Sequence, residues 1–164
     1  MSDLSQLYQQ VILDHARQRH GFGLIEGGAG ESFQVNPTCG DEIRLRVHLA
    51  PEAPAPVIER VSWEGAGCSI SQASASILAD LVADVDVGHS DRLTETFRAL
   101  MNGRGKPLPP PEEEILGDAA ALIGVARYPA RIKCALLGWM ALRDALAHAL
   151  VADPHSSSQP TETP

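Results

Sequence analysis

A short segment, residues 36–41, places a thiol and a carboxylate directly before the clearest β-strand of the chain. It reads Asn-Pro-Thr-Cys-Gly-Asp, so only Gly40 separates Cys39 from Asp41. Because glycine adopts backbone angles closed to other residues, the two side chains can turn toward one point. Such a pair suits zinc, and it also fits a tight turn with an Asp cap and a cysteine that acts as a small apolar residue.

The residues after this segment alternate between apolar and polar side chains. Ile43, Leu45 and Val47 would face one side of a strand, while the charged residues between them would face the other. Two further strands are predicted at residues 31–35 and 57–64. Since the connections between these three segments are too short for a crossover helix, we expect an antiparallel sheet.

Helical periodicity covers much of the remaining sequence. Apolar residues recur every three or four positions in residues 4–19, 69–85, 92–101 and 129–151. Asp91 is the expected N-cap of the third helix, and three prolines followed by three glutamates predict another helix start at residues 109–114. We therefore expect an α+β fold, with a small antiparallel β-sheet packed against helices in a single domain of residues 1–152, followed by a disordered tail of residues 153–164.

Two histidines lie near the end of the first predicted helix. His15 and His20 could be metal ligands or part of a docking patch. Cationic side chains are also favoured at a helix C-terminus, because they interact with the helix dipole. A solvated helix end is therefore the preferred interpretation.

Composition restricts the classes of function. The 164 residues carry a formal net charge of −8, which opposes non-specific nucleic-acid binding because phosphate contacts require clustered Lys and Arg. No segment is expected to reach the roughly 20 apolar residues of a membrane helix. Three widely spaced cysteines, without a charged leader and apolar run before Leu4, favour a reducing, cytoplasmic location. Proteins are the expected partners.

Each cysteine lies at a predicted element boundary. Cys39 precedes a strand, Cys68 lies between a strand and a helix, and Cys134 is in the first turns of the last helix. Cys39 could instead act as a small apolar residue in a turn, and Cys68 as a helix-start residue packed under the sheet. Because ends of elements meet at one edge of a domain, the three thiolates and the Asp41 carboxylate could supply four tetrahedral zinc ligands. Arg131 and Lys133 are placed to offset the net negative charge of such a site, which burial would penalise.

The scattered spacing of these candidate ligands favours a functional metal. A structural zinc site usually has closely spaced cysteine pairs, whereas this domain has an adequate core without one. Zinc does not change its oxidation state, so the predicted chemistry is nucleophilic sulfur exchange. Cys39, in a loop beside Gly40, is the thiol expected to leave the metal and react.

The motifs together resemble the SufU family of zinc-dependent sulfurtransferases, which are relatives of the IscU iron–sulfur scaffolds. The resemblance covers residues 4–150 and rests on Leu-Tyr-Gln-Gln-Val-Ile-Leu-Asp-His at 7–15, Asn-Pro-Thr-Cys-Gly-Asp at 36–41, Gly-Ala-Gly-Cys-Ser-Ile-Ser at 65–71 and Arg-Ile-Lys-Cys at 131–134. It implies Zn²⁺ held by Cys39, Asp41, Cys68 and Cys134. It also implies that Cys39 accepts persulfide sulfur from a cysteine desulfurase, one of whose histidines takes over a zinc position, and that the sulfur passes to downstream iron–sulfur scaffold proteins.

Two features distinguish the SufU pattern from the IscU pattern. IscU-type scaffolds have a histidine immediately before the third cysteine, where this chain has Lys133, and residues 101–122 resemble an insertion typical of SufU members. A scaffold that transiently assembles an iron–sulfur cluster is therefore the second hypothesis. A structural metal in an interaction module is the third.

Overall fold

A four-stranded antiparallel sheet forms one layer of the fold. The computed structural model describes residues 3–51 and 55–151. The strands, in the order β1-β2-β3-β4 across the sheet, are β1 (Gly30–Asn36), β2 (Asp41–Leu49), β3 (Val57–Ala66) and β4 (Val85–Asp86). Neighbouring strands are antiparallel throughout, which confirms the predicted sheet and its first three strands.

The helices are packed with this sheet and account for most of the remaining chain. They are α1 (Asp3–Gln18), α2 (Ser69–Val82), α3 (Val87–Asn102), α4 (Pro110–Ile115) and α5 (Pro129–Val151), with a 3₁₀ segment (Gly117–Arg127) before α5. The predicted α+β class is confirmed. The predicted tail of residues 153–164 lies outside the described residues, as does the predicted boundary at residue 152.

Two helix boundaries differ from the sequence prediction. Helix α2 ends at Val82 instead of residue 85, because Asp84 has a positive φ of 64° and its amide donates to the Ile58 carbonyl of β3 (2.8 Å). The residues that follow form the unpredicted strand β4. Helix α3 begins at Val87 and is capped by Asp86, so the prediction that Asp91 caps it is wrong.

Asp91 lies one turn inside α3 and has a different role. Its carboxylate accepts a hydrogen bond from Arg143 of α5 at 2.8 Å, and Arg143 also pairs with Glu95 at 2.6 Å. The N-cap side chain of Asp86 instead accepts from the His89 amide at 2.7 Å. An aspartate in this region therefore fits either a cap or an interhelical ion pair, and only the packing of α5 distinguishes them.

Helix α5 organises the core between the sheet and the other helices. Trp139 is fully buried and stacks on Phe97 of α3, with ring centroids 4.5 Å apart. The indole of Trp139 donates to Ser74 of α2 at 3.0 Å, and Ser74 in turn donates to the Ala135 carbonyl at 2.6 Å. These contacts fix the first half of α5, which carries Cys134, against α2.

The same helix corrects an expectation about apolar segments. By length and composition α5 could cross a membrane, although no segment was expected to approach that length. Within its apolar window 56% of the helix is buried inside the protein. Packing against the sheet and α2 thus accounts for its apolar character.

The close approach of α5 to β1 generates a first prediction. A Cβ at Gly30 would collide with the Ala145 carbonyl oxygen and lie 2.7 Å from the Ala149 amide nitrogen. Because both atoms belong to helix backbone, Gly30→Ala should lower the free energy of unfolding by about 1–3 kcal/mol. Urea unfolding followed by circular dichroism measures this change. Gly124→Ala, where a Cβ would meet nothing within 4 Å, is the matched control and should have no comparable effect.

Candidate metal centre

Sheet register brings two distant segments together at one end of the fold. Strand β1 ends at Asn36, which pairs with Asp41, so residues 37–40 form a tight turn with Cys39 near its end. The Gly40 amide donates to the Asn36 carbonyl at 2.7 Å, and Gly40 has a φ of 79° that favours glycine. The turn therefore presents Cys39 directly beside the start of β2.

The neighbouring strand and α5 deliver the other two cysteines. Glu42 of β2 pairs with Ala66, the last residue of β3, so Cys68 arrives two residues later next to Asp41. Cys68 is the N-cap residue of α2, and Cys134 lies in the first turns of α5. The structure thus brings together the element ends that carry the three cysteines, as the sequence predicted.

The donor atoms lie at short distances from one another. The Cys39 and Cys134 sulfurs are 3.4 Å apart, and both lie within 4.8 Å of a carboxylate oxygen of Asp41. Cys68 is not in this mutually close set of three, but its sulfur is 3.4 Å from Asp41 Oδ2. Its amide also donates to Asp41 Oδ1 at 3.2 Å. Asp41 thus joins Cys68 to the other two thiols.

These separations fit a four-coordinate zinc ion. Zinc–sulfur bonds of about 2.3 Å and zinc–oxygen bonds of about 2.1 Å give tetrahedral sulfur–sulfur and sulfur–oxygen separations of about 3.8 and 3.6 Å. The sulfurs of Cys39 and Cys134, 3.4 Å apart, are close to that spacing and far beyond a disulfide bond of about 2.05 Å. Three thiols and one carboxylate are also the donor types that zinc accepts.

Burial makes a negative charge on the Asp41 carboxylate and on the Cys134 thiol costly. Asp41 is 3% exposed, and burial alone would raise its pKa. Hydrogen bonds from the Cys134, Cys68 and Cys39 thiols and from the Cys68 amide outweigh burial and hold the Asp41 pKa below its usual value. Burial, followed by hydrogen bonds with Cys39 and Asp41, raises the pKa of the Cys134 thiol. Without a cation the Cys134 thiol therefore keeps its proton, and a metal ion would displace it.

Two residues support this group that the sequence analysis did not single out. Asn36 is 4% exposed; its amide nitrogen lies 3.8 Å from Cys134 Sγ, and its amide oxygen accepts from the Thr38 backbone at 3.1 Å. Gly67 allows close approach, since a Cβ there would lie 2.7 Å from Asp41 Cγ and 2.6 Å from Ser71 Oγ. The sequence signal for this close approach to Asp41 was the glycine immediately before Cys68.

The two cations expected to offset the negative charge of the metal centre form no ion pair with its described side chains. Arg131 and Lys133 are both exposed. Among the described residues neither forms an ion pair. Any compensation from them acts through space, and the direct partners of the group are the Cys68 amide and the Asn36 side chain.

A second cluster contains His15 and His20 together with Asp80. His15 is 6% exposed and bonds Ser76 at 2.7 Å and Asp118 at 3.0 Å, so the solvated helix end expected there is wrong for His15. His20 Nδ1 lies 2.7 Å from Asp80 Oδ2, whereas a nitrogen and an oxygen on one tetrahedral ion would be about 3.3 Å apart. The cluster is a hydrogen-bond network that joins α1 to α2 and the 3₁₀ segment.

Comparison with known proteins assigns the family. Residues 7–135 match the model of the NifU-like N terminal domain. The chain is 37% identical over 147 residues to the zinc-dependent sulfurtransferase SufU of Bacillus subtilis, with 89% of this chain and 93% of the relative covered. It is also 37% identical to the iron–sulfur cluster assembly scaffold protein IscU of Streptococcus pyogenes, with 89% and 86% covered.

Solved structures agree with this assignment. A protein from Fervidobacterium islandicum, named as a candidate iron–sulfur cluster assembly scaffold for the SUF system, superposes with a TM-score of 0.71 at 28% identity, covering 86% of this chain and 97% of its own. Another crystal structure, of a protein without assigned function, gives a TM-score of 0.75 at 35% identity, covering 87% and 98%. The resemblance to SufU and IscU proteins is confirmed, and this chain belongs to the family of NifU-like N-terminal domains, which includes iron–sulfur cluster assembly proteins.

Proposed function

We propose that this chain is a cytoplasmic, zinc-dependent sulfurtransferase that accepts persulfide sulfur from a cysteine desulfurase on Cys39. The position of Cys39 is the observation that carries the proposal. It is exposed, and the space next to it is open, because a Cβ at Gly40 would meet nothing within 4 Å. Cys134 is buried in α5. Cys68 is also exposed, but its backbone amide at the start of α2 is hydrogen-bonded to Asp41. Cys39 can therefore move with the least disturbance of packing.

The proposed zinc ligands are Cys39, Asp41, Cys68 and Cys134. When bound, zinc would supply positive charge that keeps the thiols deprotonated at neutral pH. Asp41 has a second role, since its carboxylate holds the N-terminus of α2 through the Cys68 amide. A carboxylate that is already engaged with the protein is a suitable ligand to remain in place while a sulfur leaves.

The transfer step is a thiol–persulfide exchange. The Cys39 thiolate attacks the terminal sulfur of the persulfide on the desulfurase cysteine. A sulfur–sulfur bond forms to Cys39 as the original one breaks, and the desulfurase cysteine leaves as a thiolate. Cys39 then carries the persulfide, with no net oxidation or reduction. The sulfur passes from there to downstream iron–sulfur scaffold proteins.

Assembly of an iron–sulfur cluster on the same cysteines is the second candidate. The IscU name of the Streptococcus relative favours it, since that protein is equally similar to this chain. Lys133 opposes it, because it occupies the position where scaffolds of that type have histidine and its side chain is exposed. Within the described residues, the close group of Cys39, Asp41 and Cys134 includes no imidazole. We therefore favour sulfur transfer.

Replacement of the proposed acceptor is the direct test. Cys39→Ala should abolish the stimulation of desulfurase turnover and the appearance of one added sulfur in mass spectra of the chain. Because Cys39 is exposed, the free energy of unfolding of the metal-free protein should change by about 0.5 kcal/mol or less. Thr38→Ala, at the adjacent exposed position of the same turn, is the control and should accept sulfur normally. Undiminished sulfur acceptance by Cys39→Ala would contradict the proposal.

A change that touches no ligand tests the metal centre. Gly67→Ala would force the Asp41 carboxylate to move, so zinc affinity should fall about 10- to 100-fold, as for other residues that orient metal ligands. Competition with a chromophoric chelator measures that affinity. Gly124→Ala introduces the same methyl group where there is space and should bind zinc like the wild type. Equal affinities in the two variants would show that Asp41 is not a ligand.

Anaerobic incubation with ferrous iron and sulfide separates transfer from scaffolding. The purified protein should contain one equivalent of zinc by elemental analysis. After the incubation it should show no visible absorption of an iron–sulfur cluster, and no cluster should be transferred to an apo-ferredoxin. The reason is that the four proposed ligands are already engaged and no imidazole completes a cluster-type set. A coloured, transferable cluster would favour the scaffold hypothesis.

A further inference from the structure

An open groove lies between α1, the 3₁₀ segment and the first turns of α2 and α5. It encloses about 780 Å³. Its walls are mainly apolar and include Leu4, Tyr8, Ile12, Ile70, Ile123 and Tyr128. None of these residues belongs to the proposed zinc ligands.

The shape of the groove suits a protein segment better than a small molecule. Small-molecule sites enclose most of the surface of their ligand, typically 70–90%. Here two of the lining side chains are largely in solvent, since Leu4 is 55% exposed and Tyr128 is 59% exposed. Exposed apolar and aromatic side chains around a cleft are instead typical of anchoring positions in protein interfaces.

The polar part of the groove is cationic. Arg127 and Arg131 line it, and Lys133 is exposed on the next part of α5. Among the side chains that the structure describes, which do not include that of Asp3, none of the three has an ion-pair partner. The whole chain has a net charge of −8, whereas these three cations lie close together in the sequence and are all exposed. Charge complementarity therefore favours a partner segment with carboxylates.

The groove includes residues at the starts of the two helices that carry Cys68 and Cys134. Ile70 follows Cys68 by two residues and Arg131 precedes Cys134 by three, which correspond to about 3 and 4.5 Å along the helices. A segment bound between these residues would lie next to the proposed ligands. Binding there would place an attached reactive group close to Cys39 and lower the entropic cost of the reaction.

From these observations we infer that the groove is the docking surface for the cysteine desulfurase, an inference that rests on the proposed function. The occupant is a segment of the desulfurase with apolar side chains flanked by carboxylates. The apolar walls on α1 and the 3₁₀ segment bind the apolar side chains of this segment, and Arg127 and Arg131 bind its carboxylates. This assigns affinity for the sulfur donor to a surface that is separate from the zinc ligands.

Paired variants of exposed residues test the inference. Leu4→Ser and Arg127→Glu change the groove, whereas Leu13→Ser and Arg92→Glu make the same changes elsewhere. Leu13 is 50% exposed and lies nine residues from Leu4, on the opposite side of α1, and Arg92 is exposed on α3. The measurements are the Kd for the desulfurase encoded by the same genome, by titration calorimetry, and the concentration of each variant that half-maximally stimulates desulfurase turnover.

Each groove variant should raise both quantities about tenfold, with zinc content and maximal stimulation unchanged. The controls should match the wild type. Added salt should weaken binding of the wild type more than binding of Arg127→Glu, because the arginine contribution is screened. If the groove variants and the controls had equal Kd values while the wild type accepted sulfur, the docking assignment would be overturned and the proposed function would stand.

Two other results would also overturn it. A wild-type chain that sediments as a dimer while the groove variants sediment as monomers would identify a second copy of this chain as the occupant. A wild type that accepts no sulfur and does not bind the desulfurase would reject the proposed function and this inference with it. Sedimentation and sulfur acceptance of the wild type are therefore measured first.

Discussion

The buried carboxylate of Asp41 is the interaction on which the site depends. It lies at the first residue of β2, accepts from the amide of Cys68 at the start of α2, and contacts the Cys68 sulfur. A buried negative charge is costly unless hydrogen bonds or a cation compensate for it. Hydrogen bonds from the neighbouring cysteines and from the Cys68 amide supply this compensation, and a divalent ion would add a positive charge beside the carboxylate. The end of the sheet, the start of α2 and the sulfurs are thus coupled through one side chain.

The fold class and the four converging side chains could be predicted because each depends on local pattern. Alternation defines β2, periodicity defines α1 and α5, and a cysteine at an element boundary is visible as such. The environment of His15 could not be predicted, since its partners Ser76 and Asp118 are 61 and 103 residues away in the chain. A histidine near a helix end has the same local pattern whether it is solvated or buried.

The close approaches at two glycines could not be assigned from the sequence pattern alone. Gly30 allows α5 to approach β1, and Gly67 allows the β3–α2 connection to approach Asp41. A glycine in a sequence permits a turn or a close contact, and only the neighbouring element shows which applies. The cap of α3 was misassigned for a related reason. Asp86 and Asp91 are chemically identical, but only Asp91 faces Arg143 of α5.

The open space around Gly40 has a consequence for how a metal could be retained during sulfur transfer. In the proposed mechanism three donors sit on backbone held by β2, α2 and α5, whereas Cys39 lies in the exposed turn between β1 and β2. If Cys39 left, Asp41, Cys68 and Cys134 would be the residues that hold the ion. The return of Cys39 would be an intramolecular recapture at high effective concentration, favoured over competing thiols in solution. The chain could then turn over repeatedly without reloading its metal.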